Sequence, residues 1–156
     1  MQTSEQAELR AVPQDRCFVC GPRNPNGLRI RYTVAAQGTV SAIWIPTEAC
    51  EGLSGIIHGG IVAAVLDEAM AKAVVAAGIE ALTGELRVRY RERVVPGETL
   101  RIQGWVVRRT KRLVATEAVL SGPEVGERAH AWASFLTLRH AGEFQEDHVE
   151  NRSADE

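Results

Sequence analysis

Asp67 is the residue of this sequence best suited to chemistry, because it lies in an apolar run without a nearby positive charge. At the offsets where side chains meet on a helix, its neighbours are Ala63, Ala64, Met70 and Ala71. Burying a carboxylate without a partner is costly, and such residues are often functional. We therefore predict that Asp67 is a functional carboxylate; the alternative is an aspartate on a solvated strip or one that caps a neighbouring loop.

The next residue, Glu68, behaves differently in the pattern. Lys72 follows it by four positions, which is the spacing of an ion pair on a helix surface. We predict that Glu68 and Lys72 form an ordinary exposed pair without a role in chemistry.

Two glycines, Gly59 and Gly60, open the same apolar run directly after His58. The first turn of a helix has free N–H groups and the positive end of the helix dipole, so it can stabilise a negative oxygen. Glycine also lets a substrate approach the backbone closely. His58 is a possible general base, but a position before a helix N-terminus disfavours its charged form. A histidine that anchors the loop is the favoured interpretation.

The elements that position these residues follow from hydrophobic periodicity. Apolar and polar residues alternate in 28–34 and 40–45, which predicts a hairpin, and the apolar run predicts a helix from Gly59 to Ala77 that Gly78 ends. Four further strands are predicted at Leu82–Val94, Thr99–Arg108, Leu113–Ser121 and Arg128–His140. An antiparallel sheet of about six strands around one long central helix is an α+β fold.

Composition indicates one globular domain in a chain of 156 residues, 45% hydrophobic and 24% charged. We predict a polar segment at 1–16, the domain at 17–140 and an acidic, disordered tail at 141–156. The polar N-terminus without an apolar run predicts no secretory signal and a cytoplasmic location. The net charge of −2 and the interrupted apolar run argue against nucleic-acid and membrane partners.

The three cysteines raise the question of a metal. Cys17 and Cys20 have the spacing of half a zinc site, and Cys50 is the third cysteine. A second pair with suitable spacing is missing, so we predict no metal; buried thiols or a loop staple are the favoured interpretation.

The helix, the His58-Gly59-Gly60 sequence, Asp67 nine residues after His58 and the strand order together resemble the hotdog-fold acyl-CoA thioesterases of the phenylacetate-pathway (PaaI-like) type. Segment 17–28 also resembles one branch of that family. The likeness covers about residues 17–138. It implies a hotdog fold and hydrolysis of acyl-CoA to a carboxylic acid and coenzyme A, with no cofactor besides the substrate's own coenzyme A.

The resemblance also implies roles for individual residues. Asp67 would activate water or attack the thioester, and the Gly59 amide would polarise the thioester carbonyl. His58, Gly60 and Thr83 would contact the substrate, with the Thr83 hydroxyl holding the water. Some relatives have an amide residue six positions before the histidine, where this chain has Gly52.

One chain cannot bring both catalytic groups to one thioester. Gly59 and Asp67 are eight residues apart, which is about 12 Å along a helix, whereas a general base must lie about 3 Å from its water. An antiparallel second copy solves this, so we predict a homodimer with two sites across its axis, possible also as a dimer of dimers.

Two other function classes remain open at this stage. An enoyl-thioester hydratase or dehydratase needs an acid–base pair, and no histidine lies on the Asp67 helix. A non-catalytic acyl-CoA binding protein is compatible with the same fold. The basic turn at 108–112 is a candidate contact for coenzyme A phosphates or simply a solvated turn. Coenzyme A and an acyl carrier protein are both compatible carriers of the acyl group, and the lack of a strong basic docking face favours coenzyme A.

Overall fold

One antiparallel sheet curved around a long helix forms the part of the chain that the computed structural model describes, residues 14–123 and 126–138. The elements in chain order are β1 (Thr33–Val34), β2 (Val40–Trp44), a short 3-10 helix (Glu48–Cys50), α1 (Gly59–Ala76), β3 (Ala81–Tyr90), β4 (Leu100–Arg109), β5 (Leu113–Ser121) and β6 (Glu127–Thr137). The predicted α+β architecture with a central helix is confirmed.

Helix α1 is buried because it is apolar on almost every side. Leu66, Ala69 and Met70 are completely inaccessible to solvent. The helix packs most closely on β4, where Gly104 allows the approach: a Cβ at this position would come within 2.8 Å of the Ala69 carbonyl. Gly78, with φ at 74°, follows the helix and ends it.

The strand order in the sheet is β1-β2-β4-β5-β6-β3, and every neighbouring pair is antiparallel. Strand β3 therefore lies at an edge, and among the described residues it pairs with β6 alone. Its side chains are also unusually accessible: Leu82 is 62% exposed and Tyr90 is 52% exposed. An edge strand with exposed apolar side chains is a surface on which another strand can pair.

The first strand is much shorter than predicted. Residues 28–31 do not pair with β2; instead, Leu28 and Ile30 donate backbone hydrogen bonds to Phe18 and Val19. Arg29 also has a positive φ of 53°, which interrupts an extended strand. Apolar and polar residues do alternate in 28–31, but this segment hydrogen-bonds to the preceding part of the chain and not to β2.

Other predicted boundaries differ by smaller amounts. Strand β3 ends at Tyr90, four residues before the predicted end, and β4 and the helix are shifted or shortened by one residue. The end of the predicted sixth strand at 139–140, the acidic tail at 141–156 and most of the segment 1–16 lie outside the described residues.

The predicted exposure of the Glu68–Lys72 pair is wrong. Their charged atoms lie 3.4 Å apart, but the side chains are only 13% and 12% exposed. The N-terminal segment passes over this face of the helix and places Cys17 against Glu68, a contact between residues too distant in sequence for helix spacing to reveal. Within the described residues, no helix is both long and apolar enough to span a membrane.

Candidate active site

The centre of the candidate site is a hydrogen bond between helix α1 and strand β3. The Thr83 hydroxyl donates to Oδ1 of Asp67 over 2.9 Å. Asp67 is half-buried on the helix, while Thr83 is exposed near the start of the edge strand. The structure thus brings together two of the residues that the sequence singled out, and it opens their side chains towards the exposed edge of the sheet.

The environment of Asp67 shifts its acidity. Loss of hydration raises the pKa of this carboxyl above its ordinary value of 3.8, the Thr83 hydrogen bond opposes the rise, and the negative charge of Glu68 adds to it. A carboxylate with a raised pKa holds a proton more strongly, which suits a group that must accept one from water.

This balance gives a prediction for Thr83. In Thr83→Val the hydrogen bond that lowers the Asp67 pKa is lost, so the acid limb of the kcat/KM profile should move to higher pH. The rate at the pH optimum should fall by about 10-fold, since hydrogen bonds to charged groups contribute about that much. A pH profile of the thioester hydrolysis that the PaaI-like resemblance implies measures both effects. Thr83→Ser keeps the hydroxyl and should retain the wild-type profile; equal profiles for all three proteins would contradict the role of this hydrogen bond.

The start of helix α1 supplies a free amide. His58 is the N-cap, and its Nδ1 accepts a hydrogen bond from the Gly60 N–H over 2.9 Å. The Gly60 amide is therefore engaged with His58, and its predicted contact with a substrate stays a prediction. No described group accepts from the Gly59 N–H. Gly59 thus presents an available donor at the positive end of the helix.

The position of His58 matches a loop-anchoring residue. With Nδ1 accepting from Gly60, this nitrogen cannot act as a base without loss of the cap. The histidine ring also lies against Gly52, where an added Cβ would come within 3.0 Å of the ring carbon Cδ2. The Gly52 position, where some relatives have an amide side chain, is therefore closely packed on His58 in this chain.

Tyr90 is a neighbour of the site that the sequence did not single out. Its hydroxyl donates to the Gly59 carbonyl over 2.7 Å, which ties the last residue of β3 to the first residue of α1. Strand alternation places Tyr90 on one face with Leu86 and Val88, but no local signal links it to a residue 31 positions away. The bond holds the Gly59–Gly60 peptide group, which adjoins the free N–H of Gly59.

A cleft of about 380 Å³ opens beside Gly59, a size within the range of small-molecule sites. Its walls include Ile57, Val62 and Tyr90, and Asp67 is not among its lining residues. A larger cleft of about 650 Å³ lies along β1 and β2, but it contains neither Gly59 nor Asp67. We favour the cleft at Gly59, because it joins an apolar wall to a free backbone donor.

Within one chain, then, the two predicted catalytic groups occupy different places. Asp67 is joined to the first half of β3 through Thr83, and Gly59 is joined to its last residue through Tyr90.

The cysteines lie elsewhere: Cys17 and Cys20 approach Glu68, and burial together with the nearby Glu68 raises the pKa of Cys20 to about 12. Such a thiol is protonated at neutral pH and is not an activated nucleophile.

Comparison with protein families gives one match. The model of the thioesterase superfamily matches residues 54–126, which contain Gly59, Asp67, Thr83 and Tyr90. No curated protein sequence matches the chain.

Solved structures of thioesterase-superfamily proteins share the fold. One such protein has a TM-score of 0.75 at 22% identity over 78% of this chain, and this chain spans only 60% of its length. The PaaI protein of E. coli, from the phenylacetic acid degradation operon, has a TM-score of 0.67 at 17% identity, covering 72% of this chain and 81% of PaaI. The predicted hotdog fold is confirmed, and the resemblance to PaaI-like proteins is confirmed at the level of the fold.

A third relative was solved with a ligand. A hypothetical thioesterase from Streptococcus pneumoniae TIGR4, in complex with coenzyme A, has a TM-score of 0.62 at 17% identity, covering 64% of this chain and 81% of that protein. Two further structures of that protein carry alanine in place of an aspartate and of a threonine, respectively, and the two positions are sixteen residues apart. Asp67 and Thr83 have the same separation.

Proposed function

We propose that this protein is an acyl-CoA thioesterase that releases a carboxylic acid and coenzyme A. The observation that carries the proposal is the half-buried Asp67 with its Thr83 hydrogen bond, located inside the segment that matches the superfamily. The coenzyme A complex of the Streptococcus pneumoniae relative supports this choice of carrier, as does the equal spacing of the two residues substituted in that protein.

The chemistry needs a donor on one side of the thioester and a carboxylate on the other. The free Gly59 N–H polarises the carbonyl and stabilises the negative oxygen that forms when a nucleophile attacks. In the base route, Asp67 takes a proton from water while the water oxygen bonds to the carbonyl carbon. The carbon–sulfur bond then breaks, and the coenzyme A thiolate leaves and regains a proton. In the nucleophilic route the carboxylate itself attacks and water hydrolyses the resulting anhydride.

Both groups reach one substrate when two chains meet at β3. If the twofold axis passes through the midpoint of this strand, between Glu85 and Leu86, an antiparallel pairing with its copy puts Thr83 of one chain opposite Val88 of the partner subunit, two residues from Tyr90 of the partner subunit. Because Thr83 binds Asp67 and Tyr90 binds Gly59, the pairing brings Asp67 of one chain towards Gly59 of the other. The exposed edge of β3 and its apolar side chains support this assembly.

Mixed dimers test the shared site directly. Asp67→Asn and Gly59→Pro are each expected to inactivate a homodimer. A heterodimer of the two variants, purified through two different affinity tags, contains one site with both defects and one with neither. We expect it to recover about half of the wild-type activity per dimer, measured as thiol release from acyl-CoA.

A heterodimer as inactive as its parents would contradict the shared site, provided that sedimentation shows an intact dimer. An active monomer would contradict it as well. A heterodimer of wild type with Asp67→Asn is the matched control, and it should also retain about half of the activity because one of its two sites is intact.

The alternatives make different predictions. A non-catalytic binding protein would bind acyl-CoA without releasing thiol. A hydratase or dehydratase would add water to crotonyl-CoA, yet His58, the histidine beside the site, uses Nδ1 to cap the helix.

The thioesterase proposal includes a cytoplasmic location, which the three free cysteines support. It also includes assembly as a dimer or a dimer of dimers.

A further inference from the structure

Three metal-binding side chains converge where the N-terminal segment crosses helix α1. Within the described residues, the sulfur atoms of Cys17 and Cys20 and a carboxylate oxygen of Glu68 all lie within 4.8 Å of one another. The sequence offered only the cysteine pair, with no second pair to complete a site. The fold supplies a third ligand, Glu68, which is 51 residues from Cys17.

We propose that Cys17, Cys20 and Glu68 bind one zinc ion. Zinc prefers tetrahedral sites built from thiolate, imidazole and carboxylate ligands, and the spacing Cys-x-x-Cys is common in them. The role assigned to this ion is structural: it fastens the N-terminal segment to the helix that carries Asp67.

The distances between donor atoms suit a tetrahedral ion. With zinc–sulfur bonds of about 2.3 Å and zinc–oxygen bonds of about 2.0 Å, a sulfur and an oxygen ligand lie about 3.5 Å apart. Cys17 Sγ lies 3.6 Å from Glu68 Oε2, whereas the Cys20 thiol donates over 3.4 Å to Gln14 Oε1, an oxygen that also accepts from the Lys72 ammonium. Weak S–H···O hydrogen bonds have similar lengths, so the turn that carries the cysteines and the Glu68 carboxylate are what favour zinc.

The first feature is the turn that carries the cysteines. The Cys20 N–H donates to Cys17 Sγ over 3.5 Å, and the Gly21 N–H donates to the Cys17 carbonyl over 2.9 Å. A Cβ on Gly21 would come within 2.5 Å of the Cys17 backbone, so the tight turn requires glycine there. The turn directs both sulfurs to one point, and an N–H group donated to a ligand sulfur stabilises it as a thiolate.

The second feature is the carboxylate of Glu68, one of whose two oxygens lacks a hydrogen bond. Its side chain is 13% exposed, and Oε1 is buried without a hydrogen bond; the Lys72 ammonium lies 3.4 Å away as a charge partner. Zinc binding releases the protons of both thiols to solvent. The two thiolates and the Glu68 carboxylate then carry three negative charges, and zinc with Lys72 carries three positive ones. The occupied site is therefore neutral overall, and the carboxylate gains a ligand bond.

Zinc binding by the full-length protein tests the proposal. Untagged protein, reduced and stripped with a chelator, is mixed with Zn²⁺, dialysed and analysed for zinc per chain. We expect about one zinc ion per wild-type chain and less than about a tenth of that in Cys17→Ser and Glu68→Gln. Cys50→Ser is the matched control: Cys50 is buried outside the cluster, and the zinc content of this variant should equal that of wild type.

Two measurements separate loss of the site from loss of the fold. Zinc at about a thousand times its Kd should raise the Tm of wild type by roughly 10 °C and leave that of Glu68→Gln unchanged. Cobalt bound by wild type should show thiolate-to-metal absorption, which needs no variant. Less than about a tenth of a zinc ion per wild-type chain, or equal zinc loss in Cys50→Ser, overturns the proposal. So does a Cys17–Cys20 disulfide that persists in the reducing buffer. None of these readouts depends on thioesterase activity.

Discussion

Asp67→Asn is expected to lower kcat for acyl-CoA hydrolysis by about 10²–10⁴-fold, the usual contribution of a general base. The amide cannot accept a proton or attack the thioester, so the variant removes the base route and the nucleophilic route alike. Asparagine has the same shape as aspartate and can still accept the hydrogen bond from Thr83, so KM should change little. Steady-state thiol release with a panel of aryl and fatty acyl-CoAs measures the effect.

The matched control is Asp15→Asn, the same chemical change at an exposed aspartate that pairs with Arg23. It should keep wild-type activity. Hydrolysis by Asp67→Asn at the wild-type rate would refute the mechanism, and binding of acyl-CoA without any turnover in wild type would favour the non-catalytic alternative.

The same variant should not lose stability at neutral pH. Burial raises the pKa of Asp67 in the folded state, so the folded protein binds this proton more tightly than the unfolded chain. The stabilisation from that proton is complete below the unfolded pKa and is lost as the pH rises through the folded pKa. At neutral pH the folded wild-type protein therefore bears the free-energy cost of the lost hydration of Asp67. Asp67→Asn should unfold at an equal or higher urea concentration, and this advantage should shrink in acid.

Gly59→Pro is expected to lower kcat by about 10²–10³-fold, the usual loss when one donor to the developing oxyanion is removed. Proline has no N–H, yet the first position of a helix accepts it well. The preceding His58 has φ −58° and ψ 130°, which is the extended conformation that a residue before proline prefers. The substitution therefore removes the donor with little reason for the helix to unfold.

Gly59→Ala separates the donor from the space around it. Alanine keeps the N–H, and its Cβ would lie 3.5 Å from the Tyr90 ring, an ordinary contact. We expect Gly59→Ala to keep most of the activity that Gly59→Pro loses, with both proteins folded by circular dichroism. If the two variants are equally impaired, crowding near Tyr90 and not the missing donor explains the loss; if both are fully active, Gly59 is not the donor.

Local patterns in the sequence determined the helix and the residues on it. A long apolar run that begins with Gly59 and ends before Gly78 needs no tertiary information to be assigned as a buried helix, and a lone carboxylate inside it is visible directly. The period of two in the later strands likewise defines a sheet. The eight-residue separation of Gly59 and Asp67 is the basis for predicting a second chain, because helix rise is a constant.

Tertiary structure decided which distant groups meet. Thr83 reaches Asp67, Tyr90 reaches Gly59 and Cys17 reaches Glu68 only after β3 has taken the sheet edge and the N-terminal segment has crossed the helix. The register of β3 shifts between Thr83 and Glu85, and a shift of one residue reverses which face a side chain occupies. Sequence periodicity determines how residues are spaced along each helix or strand. Contacts between elements depend on how the whole core packs, and only the folded chain determines them.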